Sequence, residues 1–295
     1  MTDNNRTKPN IQWFPGHMAR AGRILKENLK LIDRVVLLLD ARIPAGSMNR
    51  EFDRIFSDKT CIYVLNKADL ADENITIRWK EYFEHLYPDS ECYVVDSRKG
   101  TGIKEFINGV KKSMESEINR EKSKGRIFRP IRIMAAGIPN VGKSSFINRI
   151  AGKSGAITGD KPGVTKGRQW IKINPFIELL DTPGILQPRY DSRETGLLLA
   201  YTGAIKDDIF DKTEVASLMM SVIAVKYPGM ISGRYGIKAE TVTEPLKLLE
   251  EAAIKRGCLM HGGETDLERM ASLVLDEFRA GKIGRITLEE PENHQ

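Results

Sequence analysis

Runs of consecutive apolar residues mark the chain up to about residue 190. Several of these runs are near-continuous, as in strands covered on both faces. The six runs of strand length are VVLLLD (35–40), CIYVLN (61–66), CYVVD (92–96), IRIMAAG (131–137), QWIKI (169–173) and FIELLD (176–181). Segments with helical spacing lie between them, at about 74–87, about 102–122 and 143–151. This alternation predicts an α/β fold with a doubly wound, mainly parallel sheet.

The pattern changes after about residue 190, where the strand signal fades. Apolar residues then recur at helical spacing in LLLAYTGAI, VASLMMSVIAV, PLKLLEEAAIKRG and DLERMASLVLDEFRAGKI, which predicts a smaller all-helical domain. The terminal PENHQ is expected to fray. We therefore predict a flexible tail over 1–12, an α/β domain over 13–194 and a helical domain over 195–295.

Composition narrows the class of protein and its location. The 295 residues are 41% hydrophobic and 29% charged, which is ordinary for a soluble globular protein. The longest aliphatic run, VVLLL (35–39), is too short to span a bilayer, and the first ten residues lack the apolar core of a signal peptide. Three cysteines without a CxxC pair indicate neither a disulfide framework nor a metal site. A cytoplasmic location without a membrane span is expected.

The net charge of +6 is unevenly distributed. Residues 196–295 contain 12 Lys and Arg against 16 Asp and Glu, so the excess of positive charge lies in residues 1–195. Two basic islands stand out, at 1–30 and 111–132. They could contact phosphate backbones, or they could be a solvated tail and a solvated helix face.

Residues 137–144 read GIPNVGKS and match the phosphate-binding pattern GxxxxGK[ST] between a predicted strand and a predicted helix. The glycines would let backbone N–H groups surround phosphate oxygens, with the helix N-terminus adding a favourable dipole. Lys143 would reach the β- and γ-phosphates, and the Ser144 hydroxyl would bind Mg²⁺. Val141, Gly142 and Ser145 are assigned to the same nucleotide site.

The motif DTPG (181–184) ends the last predicted strand. Asp181 is placed to hold Mg²⁺, and the N–H of Gly184 could contact the γ-phosphate. The Gly-rich stretch GDKPGVTKGRQ (159–169) between the two motifs suits a mobile switch. Thr165 is the favoured second hydroxyl on Mg²⁺, and Thr158 is the alternative.

Asn66, Lys67, Ala68 and Asp69 follow a predicted buried strand and so lie at the edge of the sheet where ligands bind. A carboxylate at Asp69 can accept from the ring N–H and the exocyclic amine of guanine, whereas adenine presents the wrong pattern, which disfavours an ATPase. DSRKG (96–100) follows the next strand and could close over the base with Ser97 and Arg98.

Together these motifs resemble the five guanine-nucleotide motifs of a GTPase, in the order four, five, one, two, three. The chain is therefore similar to the circularly permuted GTPases and, within them, to the ribosome-biogenesis GTPase A (YlqF-type) family. WFPGHMARA (13–21) and DARIP (40–44) are similar to flanking signatures of that family. The resemblance covers about residues 11–195 with specific motifs, and the helical part agrees only in size and class.

The resemblance implies a slow GTPase that uses GTP/GDP and Mg²⁺. Its expected role is an assembly factor for a late step in large ribosomal subunit maturation, stimulated by the ribosomal particle. The expected partners are the rRNA and proteins of the large-subunit precursor, and no DNA is expected. The alternative is a GTP-gated RNA- or protein-binding clamp in which hydrolysis is incidental.

Ile185 occupies the position after DTPG where signalling GTPases carry a glutamine that orients water. The resemblance implies that His17 of the FPGH motif orients the water, and Lys143 and Thr165 are the other expected catalytic residues, through phosphate and Mg²⁺. The alternative is an N-terminal segment packed onto the domain with His17 merely exposed. Asn140 resembles an asparagine that coordinates K⁺ in some GTPases, or it is a loop residue that bonds its own backbone.

Overall fold

The computed structural model describes residues 28–48, 50–113, 115, 123, 130–152, 170–180, 192–239 and 244–294. These residues form two compact units. The first consists of the described residues up to 180 together with 289–294, and the second consists of those from 192 to 288.

The first unit is built on a six-stranded sheet in the order β3-β2-β1-β4-β6-β5. The strands are β1 (Arg34–Asp40), β2 (Cys61–Asn66), β3 (Glu91–Val95), β4 (Ile131–Gly137), β5 (Trp170–Asn174) and β6 (Ile177–Leu180). Neighbours pair in parallel, except that β5 is antiparallel to β6. The predicted α/β fold with a mainly parallel sheet is confirmed, and each strand begins and ends within one residue of its predicted position.

Burial explains why the central strands read as continuous apolar runs. Every residue of β1 after Arg34 is buried, and the same holds for β2 after Cys61. Strands covered on both faces need apolar side chains at every position rather than at alternate ones. The buried polar residues Asp40 and Asn66 come at the last position of their strands, where the chain leaves the core.

Four helices of the first unit connect or follow these strands: Arg50–Ile55, Glu73–Leu86, Ile103–Ser113 and Lys143–Ala151. The longest, Glu73–Leu86, is capped by Asp72, whose carboxylate accepts from the N–H of Ile75 at 3.1 Å, and it buries Trp79 and Phe83. The Arg50–Ile55 helix was not predicted because six residues are too few to show helical periodicity. The predicted helix over 102–122 is described as a continuous helix only up to Ser113.

The end of the chain packs on the first unit, so the expectation that it frays is wrong for residues 291–294. Glu289 is buried, and both of its carboxylate oxygens lie 3.0 Å from the N–H of Gly46. Its carbonyl oxygen accepts from Trp79 Nε1 at 3.1 Å. Pro291–His294 form a 3₁₀ turn, and Arg78 pairs with Glu290 and with Glu292.

The named elements described in the second unit are all helices, as predicted, and one isolated β-bridge joins Leu259 to Thr265. Its helices are Arg193–Tyr201, Lys212–Lys226, Met230–Tyr235, Pro245–Arg256 and Leu267–Arg279. All five helices bury apolar side chains, among them Leu199, Met219, Ile231, Leu249 and Val274. The short Met230–Tyr235 helix was not predicted, and it lies between Gly229 and Gly236, both in the left-handed region.

A buried carboxylate joins three of these helices. Glu277 accepts from Arg234 Nε at 2.9 Å, from Tyr235 Oη at 3.0 Å and from Arg256 at 3.3 Å. The hydrogen bond from Arg234 is the main reason that the pKa of Glu277 is lower than its ordinary value, although burial opposes it. The same carboxylate and, above all, burial raise the pKa of Tyr235.

Candidate functional site

The carboxyl ends of four neighbouring strands, β1, β2, β3 and β4, meet at one edge of the sheet because these strands are parallel. The segments that follow them are 41–48, NKAD (66–69), SRK (97–99) and the GIPNVGKS motif (137–144). Ligands of open α/β sheets bind in the crevice at this edge. The structure therefore places the base and phosphate motifs next to one another although the chain separates them.

The GIPNVGKS loop needs glycine at its two ends. A Cβ on Gly137 would lie 2.8 Å from the carbonyl oxygen of Leu38. Gly142 has φ of +96°, and a Cβ there would lie 2.4 Å from Asn66 Nδ2. Between them, Val141 is buried and Asn140 is exposed with φ of +58°. The loop thus packs tightly against Leu38 and Asn66, and glycine leaves its backbone without a Cβ at both positions, as in loops that approach phosphate groups.

The Lys143–Ala151 helix starts directly after this loop. Its first helical hydrogen bond runs from the N–H of Phe146 to the carbonyl of Gly142 at 2.9 Å. Lys143 is half-buried, whereas the side chains of Ser144 and Ser145 are exposed. The residues predicted to meet phosphate and Mg²⁺ therefore lie in the first helical turn, where the helix dipole favours negative charge.

Asn66 connects NKAD, to which it belongs, with the GIPNVGKS loop and the SRK loop. Its side-chain Nδ2 donates to the carbonyl of Val141 at 2.9 Å. Its Oδ1 accepts from the hydroxyl of Ser97 at 2.7 Å and from the N–H of Ser97 at 3.3 Å. Asn66 is only 1% exposed, so each bond forms away from water, where a missing partner would be costly.

Lys67 lies at the same edge in a strained backbone conformation. Among the described residues, the non-glycine residues with positive φ are Lys67, at +60°, and Asn140. Both lie in the site, and strained backbone tends to cluster at functional sites. Lys67 Nζ lies 3.0 Å from Asp40 Oδ2, and its side chain is 20% exposed. Burial lowers the pKa of Lys67, whereas Asp40 opposes that effect.

Asp40 ends β1 and is held on its other side by Arg42. Arg42 donates from Nε to Oδ1 at 2.9 Å and from its terminal nitrogen to Oδ2 at 2.7 Å. Both side chains are almost fully buried. Burial by itself raises the pKa of Asp40, but Arg42 and Lys67 outweigh burial and hold that pKa well below its usual range.

The SRK loop is shaped by Asp96, whose Oδ1 accepts from the N–H groups of Arg98 at 2.8 Å and Lys99 at 3.0 Å. Arg149, on the helix that follows the phosphate loop, donates to the carbonyl of Ser97 at 3.1 Å. A cleft of about 450 Å³ opens here. It is lined by Ser97, Arg98, Ser145, Asn148, Arg149 and Gly152.

Asp69, the proposed guanine selector, is half-buried in the segment after β2. Five other candidate residues lie outside the described part of the chain: His17, Thr158, Thr165, Asp181 and Gly184. Their roles stay predictions. Groups of three or more His, Cys, Asp or Glu side chains that could hold a metal do not occur among the described residues.

The sequence interpretation gave no role to Asp40, Arg42 or Arg149, although the structure places all three against the predicted motifs. Asp40 carried a usable signal, since it is a carboxylate that ends an otherwise apolar run at the same edge as NKAD. Arg149 carried no such signal, because it reads as an ordinary basic residue in the last turn of a helix.

Comparison with known proteins identifies the family of the chain. The family described as "50S ribosome-binding GTPase" matches residues 132–243, which begin within β4 and leave NKAD outside the match. The "Ribosome biogenesis GTPase A" of Priestia megaterium is 44% identical over 284 residues, which cover 95% of this chain and 97% of that protein. The protein of the same name from Thermotoga maritima is 32% identical and covers similar shares of both chains.

A solved structure agrees with this result. The crystal structure titled GNP-bound YlqF from T. maritima superposes with a TM-score of 0.66 at 29% sequence identity. The match covers 92% of this chain and 99% of that one. No helix in the described part of the chain is both long enough and apolar enough to cross a membrane. The permuted order of motifs, the sheet that reunites them and these relatives show that the chain belongs to the ribosome biogenesis GTPase A family and is a GTP-hydrolysing ribosome assembly factor.

Proposed function

We propose that this GTPase acts at a late step in the maturation of the large ribosomal subunit and that the ribosomal particle stimulates its hydrolysis. The main support for the nucleotide site is that the side chain of Asn66 forms hydrogen bonds with both the phosphate loop and the SRK loop. The relatives' names refer to ribosome biogenesis and the family description refers to 50S ribosome binding, which supports the large subunit as the partner. The cytoplasmic location stays a prediction.

In this proposal, backbone N–H groups of the loop that ends at Gly142 hold the phosphates of GTP, and Lys143 reaches the β- and γ-phosphates. The exposed Ser144 hydroxyl in the first helical turn fits a Mg²⁺ ligand. Thr165 and Asp181 would complete the metal site. The ion would supply charge neutralisation at the phosphates, and the chain's own part is to fix the phosphates relative to the attacking water.

Asp69 is proposed to choose the base. Asp69→Asn should weaken binding of guanine nucleotides and improve binding of xanthosine nucleotides, since the amide presents a donor where the carboxylate presented an acceptor. Leaving donors of guanine unpaired is worth at least ~2 kcal/mol. Calorimetry with GDP, XDP and ADP on the parent, Asp69→Asn and the exposed control Asp58→Asn tests this. Equal binding of GDP and ADP by the parent would refute guanine selection.

The proposed catalytic groups are Lys143, Thr165 and His17, with Ile185 leaving no glutamine in the usual position. A potassium ion near Asn140 would offset negative charge that develops between the β- and γ-phosphates. Asn140 is exposed within the loop and has a positive φ, which supports this role.

Turnover with and without purified large subunits, each in K⁺ and in Na⁺, tests the proposal as a whole. We expect slow hydrolysis by the protein alone, stimulation by the subunits and a higher rate in K⁺. Lys143→Ala should abolish turnover in every condition without unfolding the protein. Subunits that bind the protein in a GTP-dependent way but leave its rate unchanged would favour the GTP-gated clamp instead.

A further inference from the structure

Asp40 has more positive partners than its burial alone requires. Its side chain is 2% exposed, and Arg42 already binds both carboxylate oxygens in the forked geometry that suits a buried ion pair. Lys67 adds a second cation at 3.0 Å, on the oxygen that Arg42 also binds. Drawing a lysine ammonium out of water beside a buried arginine is costly. The position of Lys67 therefore calls for a reason other than neutralising Asp40.

The path of the Lys67 side chain supplies that reason. A Cβ built on Gly142 would lie 3.9 Å from Lys67 Cε, so the lysine stem passes over the phosphate-loop glycine before its ammonium reaches Asp40. At the other end, the Lys67 backbone is held at a positive φ beside Asn66. One side chain thus spans from the base loop (NKAD, 66–69), across the phosphate loop (GIPNVGKS, 137–144), to the end of β1.

We propose that Asp40 is a positioning residue for guanine nucleotide binding, because it anchors Lys67 across Gly142 and so fixes the base loop relative to the phosphate loop. Asp40 itself would not touch the nucleotide. The neighbouring backbone fits this role, since the N–H of Asp40 donates to Ser47 Oγ at 3.0 Å and the N–H of Ala41 donates to the carbonyl of Asn66 at 2.9 Å. The inference rests on the proposed nucleotide site.

A purely structural role for Asp40 predicts a different outcome. If Asp40 serves only to pair Arg42 in the core, its loss lowers the stability of the fold but leaves the affinity of the folded protein unchanged. If it anchors Lys67, its loss lowers nucleotide affinity even where the protein stays folded. Burial lowers the pKa of Lys67, and the ion pair with Asp40 opposes that effect and favours the charged lysine.

The test measures GDP affinity by calorimetry for Asp40→Asn, for Lys67→Met and for the double variant, with circular dichroism to verify folding. We expect each single variant to weaken GDP about tenfold or more, and the double variant to be no weaker than Lys67→Met alone. Asp33→Asn is the matched control. Asp33 lies just before β1, at its opposite end, and its Oδ2 accepts from the N–H of Arg132 at 2.8 Å. It should lose stability without losing affinity.

Asp40→Asn leaves Arg42 buried without its carboxylate, so a second variant protects the test against misfolding. Asp40→Asn combined with Arg42→Met removes both buried charges, which proteins often tolerate well. It should show the same loss of GDP affinity. Parent-like affinity in either folded variant, or losses that add fully in the Lys67→Met background, would overturn the inference. Asp69→Asn in the same assay separates the cases, because an unchanged GDP affinity there would place the error in the proposed nucleotide site instead.

Discussion

Residues with strained backbone lie beside a buried, hydrogen-bonded residue in the candidate site. Lys67 and Asn140 adopt positive φ, and Asn66 is buried with hydrogen bonds to two other loops. A non-glycine residue in the left-handed region costs of order 1–3 kcal/mol, so surrounding contacts must hold it there. Asn66 provides such contacts from one side and Asp40 from the other. The site is therefore held in shape by bonds between its own loops.

Gly142 gives the sharpest prediction at the scale of one residue. Gly142→Ala places a Cβ 2.4 Å from Asn66 Nδ2, in addition to the strain of φ at +96°. We expect nucleotide binding to be lost and stability to fall by more than the ~1–2 kcal/mol that a left-handed alanine alone costs. Calorimetry with GDP and urea denaturation measure the two effects.

Gly257→Ala is the control for strain without a clash. Gly257 also has a left-handed conformation, with φ of +66°, but nothing lies within 4 Å of its Cβ position. It should lose only the cost of the backbone conformation and keep parent-like affinity. If both variants bind GDP equally well, the tight contact between Gly142 and Asn66 does not matter for binding.

At the scale of elements, the C-terminal segment from Glu289 to His294 is expected to stabilise the first unit. Glu289 is 8% exposed and its carboxylate accepts from the N–H of Gly46, so Glu289→Ala leaves a half-buried donor without its partner. A stability loss of about 1–3 kcal/mol should follow, measured by urea denaturation with tryptophan fluorescence. Glu292→Ala breaks an exposed ion pair with Arg78 and should change stability by no measurable amount. Equal losses in both variants would contradict this ranking.

The Glu277 cluster predicts a pH dependence in the helical unit. The Arg234 hydrogen bond lowers the pKa of Glu277 below its ordinary 4.5. Because the folded pKa is lower than the unfolded one, the stabilisation is complete above the unfolded value and is lost as the pH falls through the folded value. Glu277→Gln should therefore be at least ~1 kcal/mol less stable than the parent near neutral pH, with a smaller difference at acidic pH.

Denaturation followed by far-ultraviolet circular dichroism, at about pH 7 and about pH 3, measures this difference. Glu268→Gln is the matched control, since Glu268 lies on the same helix with its side chain 78% exposed. Its difference from the parent should be small at both values of pH. A Glu277→Gln deficit that stays constant with pH would show that packing rather than charge accounts for the loss.

Sequence patterns predicted the strands well because strands that are buried on both faces have continuous apolar runs, as in β1 and β2. They missed the helices Arg50–Ile55 and Met230–Tyr235, which are too short to show a period. They also missed the C-terminal contact, because the bond between Gly46 and Glu289 joins residues 243 positions apart. Local motifs likewise could not reveal that Lys67 reaches Asp40, since that pairing depends on the sheet bringing two strand ends together.

At the scale of the whole molecule, the order of the motifs along the chain does not matter to the site. Asn66 and Val141 are 75 positions apart, yet their strands lie on either side of β1 and their loops are hydrogen bonded. The first three strands lie on one side of β4 and the last two on the other. The chain can therefore begin at a different loop of the same sheet while the same strand ends still meet at one edge. This is why base recognition can precede phosphate binding in the sequence.

The N-terminal segment provides the prediction that concerns the protein together with its partner. Ile185 cannot orient water, so we expect slow hydrolysis by the protein alone and a contribution of His17 mainly on the ribosomal particle. His17→Ala should keep nucleotide affinity and most of the basal rate. It should lose most of the stimulated rate, because groups that position water or transfer protons typically contribute ~10²–10⁴-fold. In this prediction, the basic neighbours Arg20 and Arg23 would contact rRNA and so place His17 on the particle.

Single-turnover hydrolysis of GTP on saturating large subunits is the decisive measurement for His17. His85→Ala is the control, because His85 is an exposed histidine on the Glu73–Leu86 helix, and its removal should leave both rates unchanged. Removing residues 1–10 should have a mild effect, since the WFPGH motif begins after them, whereas removing 1–20 should resemble His17→Ala. If the parent and His17→Ala hydrolyse GTP at the same rate on the particle, the water must be oriented by another group. In that case the ribosome itself becomes the source of the catalytic contact.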